Sequence, residues 1–229
     1  MNIQNINWNY PTPIWFGPGR IRDIQKACDD LNILNPLIVT DPGILKTDII
    51  TKLNNNLKTT AKIYSEVQGN PTGKNVKDGV DFFNNFQNDG VIAVGGGSGM
   101  DTGKGIAFMA KQTKPIWDFE DIGDYWTRAN SDVIFPIIAV PTTAGTGSEF
   151  TYTSVYKTQT KIKTWLWDEL TYFDYVIYSP SLTLELPKNI TISCGVDALS
   201  HLLESLMSLK FSNFLKTLLV AMINLFEMK

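Results

Sequence analysis

Four apolar residues, Val91-Ile92-Ala93-Val94, run straight into Gly95-Gly96-Gly97-Ser98-Gly99 and then into a segment of helical spacing that carries Asp101 and Lys104. A short run without alternation is a strand buried on both faces, and a glycine turn leading from it into a helix predicts a mostly parallel sheet covered by helices. The same combination is an anion cradle. Glycines let the backbone approach a phosphate without a Cβ clash, and the free N–H groups at the helix start point at the negative charge. A tight strand-to-helix turn can be glycine-rich for packing alone, but four glycines around one serine favour a ligand. A P-loop needs a glycine five residues before its Gly-Lys pair and Ser or Thr after it. Here Ser98 stands at the first position relative to Gly103-Lys104 and Gly105 at the second. The G-x-G-x-x-G dinucleotide fingerprint is not met either, so spacing alone specifies only a phosphate compound.

The rest of the first two thirds repeats the alternation of short β-type runs and helical stretches. Pro11 to Phe16 reads as an extended start, Gly19 to Leu31 as a helix, Leu37 to Thr40 as a buried strand, and Leu45 to Leu57 as a helix after the Asp41-Pro42-Gly43 turn. Ala61 to Tyr64 is a strand, Asn75 to Phe86 a helix, Met100 to Lys111 a helix, and Phe135 to Val140 a strand ended by Pro141. Thr151 to Trp167 alternates as a hairpin does, and Tyr175 to Tyr178 is one more short strand. Beyond Pro187 the pattern is helical. The expected division is a Rossmann-like α/β domain over residues 1–185, followed by the beginning of an all-helical domain over residues 186–229.

Two further constellations carry chemistry. Pro141-Thr142-Thr143-Ala144-Gly145-Thr146-Gly147-Ser148-Glu149 follows a buried strand, where open α/β sheets gather ligands, and its threonines can donate to one; an ordinary polar turn would look the same. Asp197 and His201 lie four apart on a predicted helix and so share a face. A carboxylate and an imidazole suit Fe, Mn, Zn or Ni, although a plain intrahelical pair is the commoner use of that spacing. His201 is the single histidine of the sequence.

Composition limits the partners. With 20 basic and 23 acidic residues in small scattered groups, no stripe exists to neutralise a nucleic-acid backbone. Cys28 and Cys194 form no CxxC, so neither a disulfide framework nor a cysteine zinc site is expected, and a reducing cytoplasm is the expected location. The stretch Phe214 to Phe226 is interrupted by Lys216, Thr217 and Asn224 and falls short of the ~20 residues that cross a bilayer; no membrane association is expected.

Taken in order, Gly95 to Lys104, Pro141 to Glu149 and Gly195 to Ser205, the sequence resembles the iron-containing (group III) alcohol dehydrogenase family. The resemblance extends to Phe16-Gly17-Pro18-Gly19, Asn70-Pro71-Thr72 and Ser179-Pro180-Ser181-Leu182-Thr183. It implies that Gly96, Gly97 and Ser98 hold a pyrophosphate, and that Asp41 lies by the adenosine ribose, favouring NAD over NADP because a carboxylate repels a 2′-phosphate. It further implies that Asn70, Thr142, Thr143 and Thr146 line the cofactor, with Lys163 or, in competition, Lys161. The family's metal is held by an aspartate and three histidines; Asp197 and His201 match the first two, so an Fe2+ or Zn2+ site is expected to be incomplete and the protein to be truncated at its C-terminal end. The implied activity is interconversion of a small alcohol and its aldehyde or ketone by NAD(P)-dependent, metal-assisted hydride transfer, with little or no turnover from this chain. The alternatives are a non-catalytic dinucleotide-binding fragment, or a zinc polyol dehydrogenase or dehydroquinate-synthase-like relative. A homodimer, joined through Pro11 to Phe16, is the expected assembly. The apolar segment Phe214 to Phe226 is expected to need a covering partner.

Overall fold

The computed structural model describes residues 12–158, 160, 162–167 and 171–207. The predicted helix over Phe214 to Phe226 and residue Lys161 therefore lie outside the described residues. Six strands form one all-parallel sheet: β1 (Ile14–Phe16), β2 (Pro36–Val39), β3 (Lys62–Tyr64), β4 (Gly90–Gly95), β5 (Ile137–Pro141) and β8 (Tyr175–Tyr178), in the order β1-β8-β5-β4-β2-β3. β6 (Thr153–Lys157) and β7 (Lys163–Trp167) make a separate antiparallel hairpin. The Rossmann-like expectation and the mostly parallel sheet agree with this arrangement.

The central strands are buried on both faces because their side chains alternate between two cores. Ile38, Ile92, Val94, Ile138, Val140 and Ile177 face α1 (Ile24–Asp30) and α2 (Ile49–Asn54). Leu37, Val39, Val91, Ala93, Ala139 and Val176 face α3 (Gly73–Asn85) and α4 (Gly97–Met109). A third cluster, Val76, Phe108, Phe119, Tyr156 and Leu166, docks the hairpin onto the outer side of α3 and α4. Each fully buried aliphatic side chain contributes about 1.5–3 kcal/mol relative to exposure.

Several element ends differ from the sequence expectation for local reasons. The helix expected over Leu45 to Leu57 is broken at Thr47, whose backbone is extended. Its hydroxyl donates to the Ile44 carbonyl at 2.7 Å and accepts from the Ile49 amide at 3.3 Å, offering the backbone an alternative to the helical ladder. The first turn of the expected Gly19 to Leu31 helix is a 3-10 turn, Arg20–Asp23. α3 starts earlier than expected, at Gly73, because Thr72 and Asn75 form a reciprocal capping box. β5 starts two residues late, since the Phe135 amide is already committed to the Ala107 carbonyl at 3.2 Å and Pro136 has no N–H.

The sheet order places the reversal of the fold between β2 and β4. From β2 the backbone passes outward to β3, then returns on the other side of β2 to form β4. Open α/β sheets bind ligands in the crevice at such a point, beyond the carboxyl ends of the strands. The residues there are Asp41 after β2 and Gly95-Gly96-Gly97 after β4. α5 (Lys188–Met207) follows Pro187 and approaches the same end of the sheet. Among the described residues no helix is long and apolar enough to cross a membrane.

Candidate active site

The turn after β4 is shaped by contacts that exclude side chains. Gly95 has φ 142°, a conformation side chains rarely adopt, and a Cβ there would stand 3.4 Å from Asp41 Oδ2. A Cβ on Gly96 would lie 3.0 Å from Thr143 Oγ1, and one on Gly97 would lie 2.9 Å from Thr146 Cγ2. The glycines thus let two loops close on each other, and the Thr142 amide ties them by donating to the Gly95 carbonyl at 2.9 Å. Gly96 caps α4 with no side-chain hydrogen bond, so the first-turn amides of the helix stay directed at the space above it.

Asp41 orients its own turn, with Oδ1 accepting from the Gly43 amide at 2.7 Å and the Ile44 amide at 3.2 Å. It lines a cleft of about 240 Å³ together with Gly96, Thr142, Thr143, Thr47 and Leu182. Neither Thr47 nor Leu182 stands out in the sequence as a site residue; Leu182 sits in the Ser179 to Thr183 string, which carries the only available signal. The Thr142 hydroxyl is buried and has no hydrogen-bond partner among the described residues. A buried polar atom without a partner costs about 1–3 kcal/mol, so a residue that lines this cleft with such an atom suits a polar ligand. Asn70 adopts a left-handed conformation, φ 56°, and its amide donates to Ser98 Oγ at 3.3 Å, which brings a third segment to the cradle.

One expected residue is not gathered here. Lys163 stands at the mouth of the hairpin, opposite Lys157, and does not line the cleft by Asp41. Among the described residues it is linked to the cradle through its neighbour, since the Lys157 amide donates to the Pro71 carbonyl at 2.7 Å next to Asn70.

Asp197 and His201 lie on α5 with Oδ1 and Nε2 3.8 Å apart, both side chains about half exposed. That separation lets one cation touch both, given bonds of about 2.0–2.2 Å to each. Among the described residues no group of three or more His, Cys, Asp or Glu could hold a metal, so the pair supplies two donors. The helix reaches the β5 loop at Gly145, where a Cβ would meet the Cys194 carbonyl oxygen at 2.8 Å and Asp197 Oδ2 at 3.3 Å. The loop that closes on Gly96 and Gly97 therefore also touches the helix that carries the potential metal donors.

Beneath this loop lies a buried charge pair. Burial pushes the Asp101 carboxyl up to about 6, opposed by the positive charge of Lys104, and pulls the Lys104 ammonium down to about 8, opposed by Asp101 and Glu149.

The sequence profile described as iron-containing alcohol dehydrogenase matches residues 11–180. The chain belongs to the iron-containing alcohol dehydrogenase family. Its relatives in that family include alcohol dehydrogenase 4 of Schizosaccharomyces pombe (strain 972 / ATCC 24843), 34% identical over 197 residues, a match spanning 84% of this chain and 46% of the relative. Among solved structures, a 1,3-propanediol oxidoreductase superposes with a TM-score of 0.82 at 31% identity, covering 92% of this chain and 55% of that one. A sulfoacetaldehyde reductase from Bifidobacterium kashiwanohense in complex with NAD+ gives a TM-score of 0.79 at 28% identity, covering 88% and 54%. The chain thus spans about half the length of these curated relatives and solved structures.

Proposed function

We propose that this chain is the dinucleotide-binding portion of an alcohol dehydrogenase-type oxidoreductase, acting between NAD(H) and a small alcohol or its aldehyde or ketone. The observation that carries the reading is the convergence at Gly145, where the cradle loop meets the helix of Asp197 and His201. In this reading the first-turn amides after Gly96, with Gly97 and Ser98, hold the pyrophosphate. Asp41 accepts from the adenosine ribose and disfavours a 2′-phosphate. Thr142, Thr143, Thr146 and Asn70 complete the polar lining, while Lys163, or Lys161, approaches the cofactor from the hairpin side. Residues 1–185 make the cofactor domain and residues 186–229 begin the helical one.

Asp197 and His201 would hold a divalent cation, Fe2+ or Zn2+, which when bound polarises the substrate oxygen. What this protein contributes to the hydride transfer is orientation: a fixed pyrophosphate and ribose leave the nicotinamide one place to point, towards α5. With two donors among the described residues and no second histidine in the sequence, cation affinity from this chain alone should be weak and turnover low. The same observation favours a second reading, a dinucleotide-binding module without catalysis. Titration calorimetry with NADH, Fe(II) or Zn(II), paired with a steady-state assay over short aldehydes, separates the two. NADH binding with little turnover is the expected result; one-to-one uptake of Fe(II) or Zn(II) beside it supports the oxidoreductase portion, NADH binding without metal uptake supports the bare module, absence of NADH binding refutes both readings, and robust turnover refutes the low-activity expectation.

The proposed assembly is a homodimer in the cytoplasm. Among the described residues β1 pairs with β8 on one side only and Phe16 at its end is 72% exposed, which supports a short edge that a second copy could meet. Light scattering that shows a monodisperse monomer would count against it.

A further inference from the structure

Lys104 is fully buried on α4, and its ammonium is surrounded by oxygen atoms from the stretch that runs from a 3-10 turn at Ser148–Phe150 into the first residue of β6. Nζ donates to the Ser148 carbonyl at 2.6 Å, the Thr151 carbonyl at 2.5 Å, the Thr153 carbonyl at 3.0 Å and Thr151 Oγ1 at 3.2 Å. The surrounding charged and titratable groups come from four elements. Asp101 lies one turn earlier on α4, and its Oδ2 accepts from the Val155 amide of β6 at 3.1 Å. Glu149 stands in the segment itself and accepts from Tyr178 at the end of β8. Tyr156 of β6 donates to the Asp101 carbonyl, and the Phe173 ring lies 5.3 Å from the ammonium.

Filling this space would need only a methionine or leucine, and taking an ammonium out of water costs several kcal/mol. What the ammonium supplies is donors. The carbonyls of Ser148, in a 3-10 turn, Thr151, in the connection, and Thr153, at the start of β6, converge on one charged group, which ties three successive parts of the β5–β6 connection to α4. The segment is the downstream half of the loop whose upstream half carries Thr142, Thr143 and Thr146. Lys104 belongs to the helix whose first residues are Gly97, Ser98 and Gly99. The cradle and the loop that closes over it are therefore held to one rigid body, at the start of α4 by the glycine contacts and one to two turns later by this lysine.

We propose that Lys104 is a positioning residue for the cofactor: its ammonium fixes residues 148–153 to α4 and so sets Thr143 and Thr146 at hydrogen-bonding reach of a pyrophosphate in the Gly96–Ser98 cradle. The inference rests on the dinucleotide reading and names the part of the site that serves the pyrophosphate half rather than the adenosine half. In that reading the adenosine lies by Asp41 and Leu182, whereas the hydrogen bonds of Lys104 go to residues 148–153.

The test uses the 229-residue chain. Lys104→Met keeps the length of the side chain and removes the donors; Asp101→Asn/Lys104→Met removes both charges and covers the case in which the single variant leaves Asp101 unpaired and does not fold. NADH affinity is measured by calorimetry, adenosine affinity by saturation-transfer NMR, and amide hydrogen exchange by segment. Expected are a tenfold or greater loss for NADH, a change within twofold for adenosine, and faster exchange confined to residues 142–153 with β4 still protected. NADH affinity within twofold of the parent overturns the proposal. Equal losses for NADH and adenosine, exchange that spreads into β4, or failure of both variants to fold also overturn it, because each marks Lys104 as a general core residue. If the parent protein binds no NADH, the dinucleotide reading falls, and the exchange data alone decide whether Lys104 holds the loop.

Discussion

Replacing Gly145 by alanine tests the contact on which the site reading stands. The new Cβ would sit 2.8 Å from the Cys194 carbonyl oxygen and 3.0 Å from the Cys194 Cα, whereas ordinary van der Waals contact begins at 3.4 Å. Both neighbours are backbone, so no rotamer change relieves them; the loop and α5 must separate by about 0.6 Å. Overpacking of this kind costs about 1–3 kcal/mol. At a urea slope of about 2 kcal/mol/M, a loss near 2 kcal/mol lowers the unfolding midpoint by about 1 M. Thr143 and Thr146 flank Gly145, and a hydrogen bond to a charged group is worth about 1.5–3 kcal/mol. Weakening one of them by half lowers NADH affinity by about 1 kcal/mol, roughly fivefold. The matched control is Gly69→Ala, where no atom lies within 4 Å of the new Cβ and stability should change by less than about 0.5 kcal/mol. If Gly145→Ala and Gly69→Ala have the same midpoint and the same NADH affinity, the helix does not press on the loop and the convergence argument fails.

Three further outcomes are expected. Thr142→Val removes a hydroxyl that has no partner among the described residues, so stability should hold or rise by up to about 1 kcal/mol while NADH affinity falls severalfold; calorimetry and urea unfolding read the two separately. Asp41→Asn keeps an acceptor for the Gly43 and Ile44 amides but loses the charge, and the preference for NADH over NADPH should narrow about tenfold in paired titrations. Burial pushes the Cys28 thiol from 9.0 up to about 12, so the folded state keeps a proton that the unfolded state releases. Its contribution is complete below pH 9.0 and fades between there and about pH 12. While Cys28 alone titrates, the slope is about 1.4 kcal/mol per pH unit, and unfolding curves of Cys28→Ala should lack that component.

The two faces of the sheet were legible because every central strand alternates between them residue by residue, and a four-residue apolar run has few other uses. The glycine cradle was legible because only a backbone need explains so many glycines at one strand end. Helix ends were less so: the break at Thr47 depends on one hydroxyl choosing the Ile44 carbonyl, a choice between near-equal hydrogen bonds that spacing does not encode. Lys104 was visible only as a failed P-loop lysine, since its acceptors lie some 44 to 49 residues downstream, between the 3-10 turn at Ser148 and the start of β6.

The order of residue types was thus enough to determine an alternating α/β architecture, a glycine turn after β4 with the form of an anion cradle and a carboxylate-imidazole pair sharing one face of a helix. These depend on neighbours within a few positions, where periodicity and backbone freedom act directly. Tertiary structure alone decided that Asp41 meets Gly95 across the β2–β4 reversal, that Gly145 receives the helix of Asp197, and that Lys104 holds the far end of the loop. Those contacts join residues tens of positions apart, and their existence depends on strand order and packing distance, which the local sequence pattern does not contain.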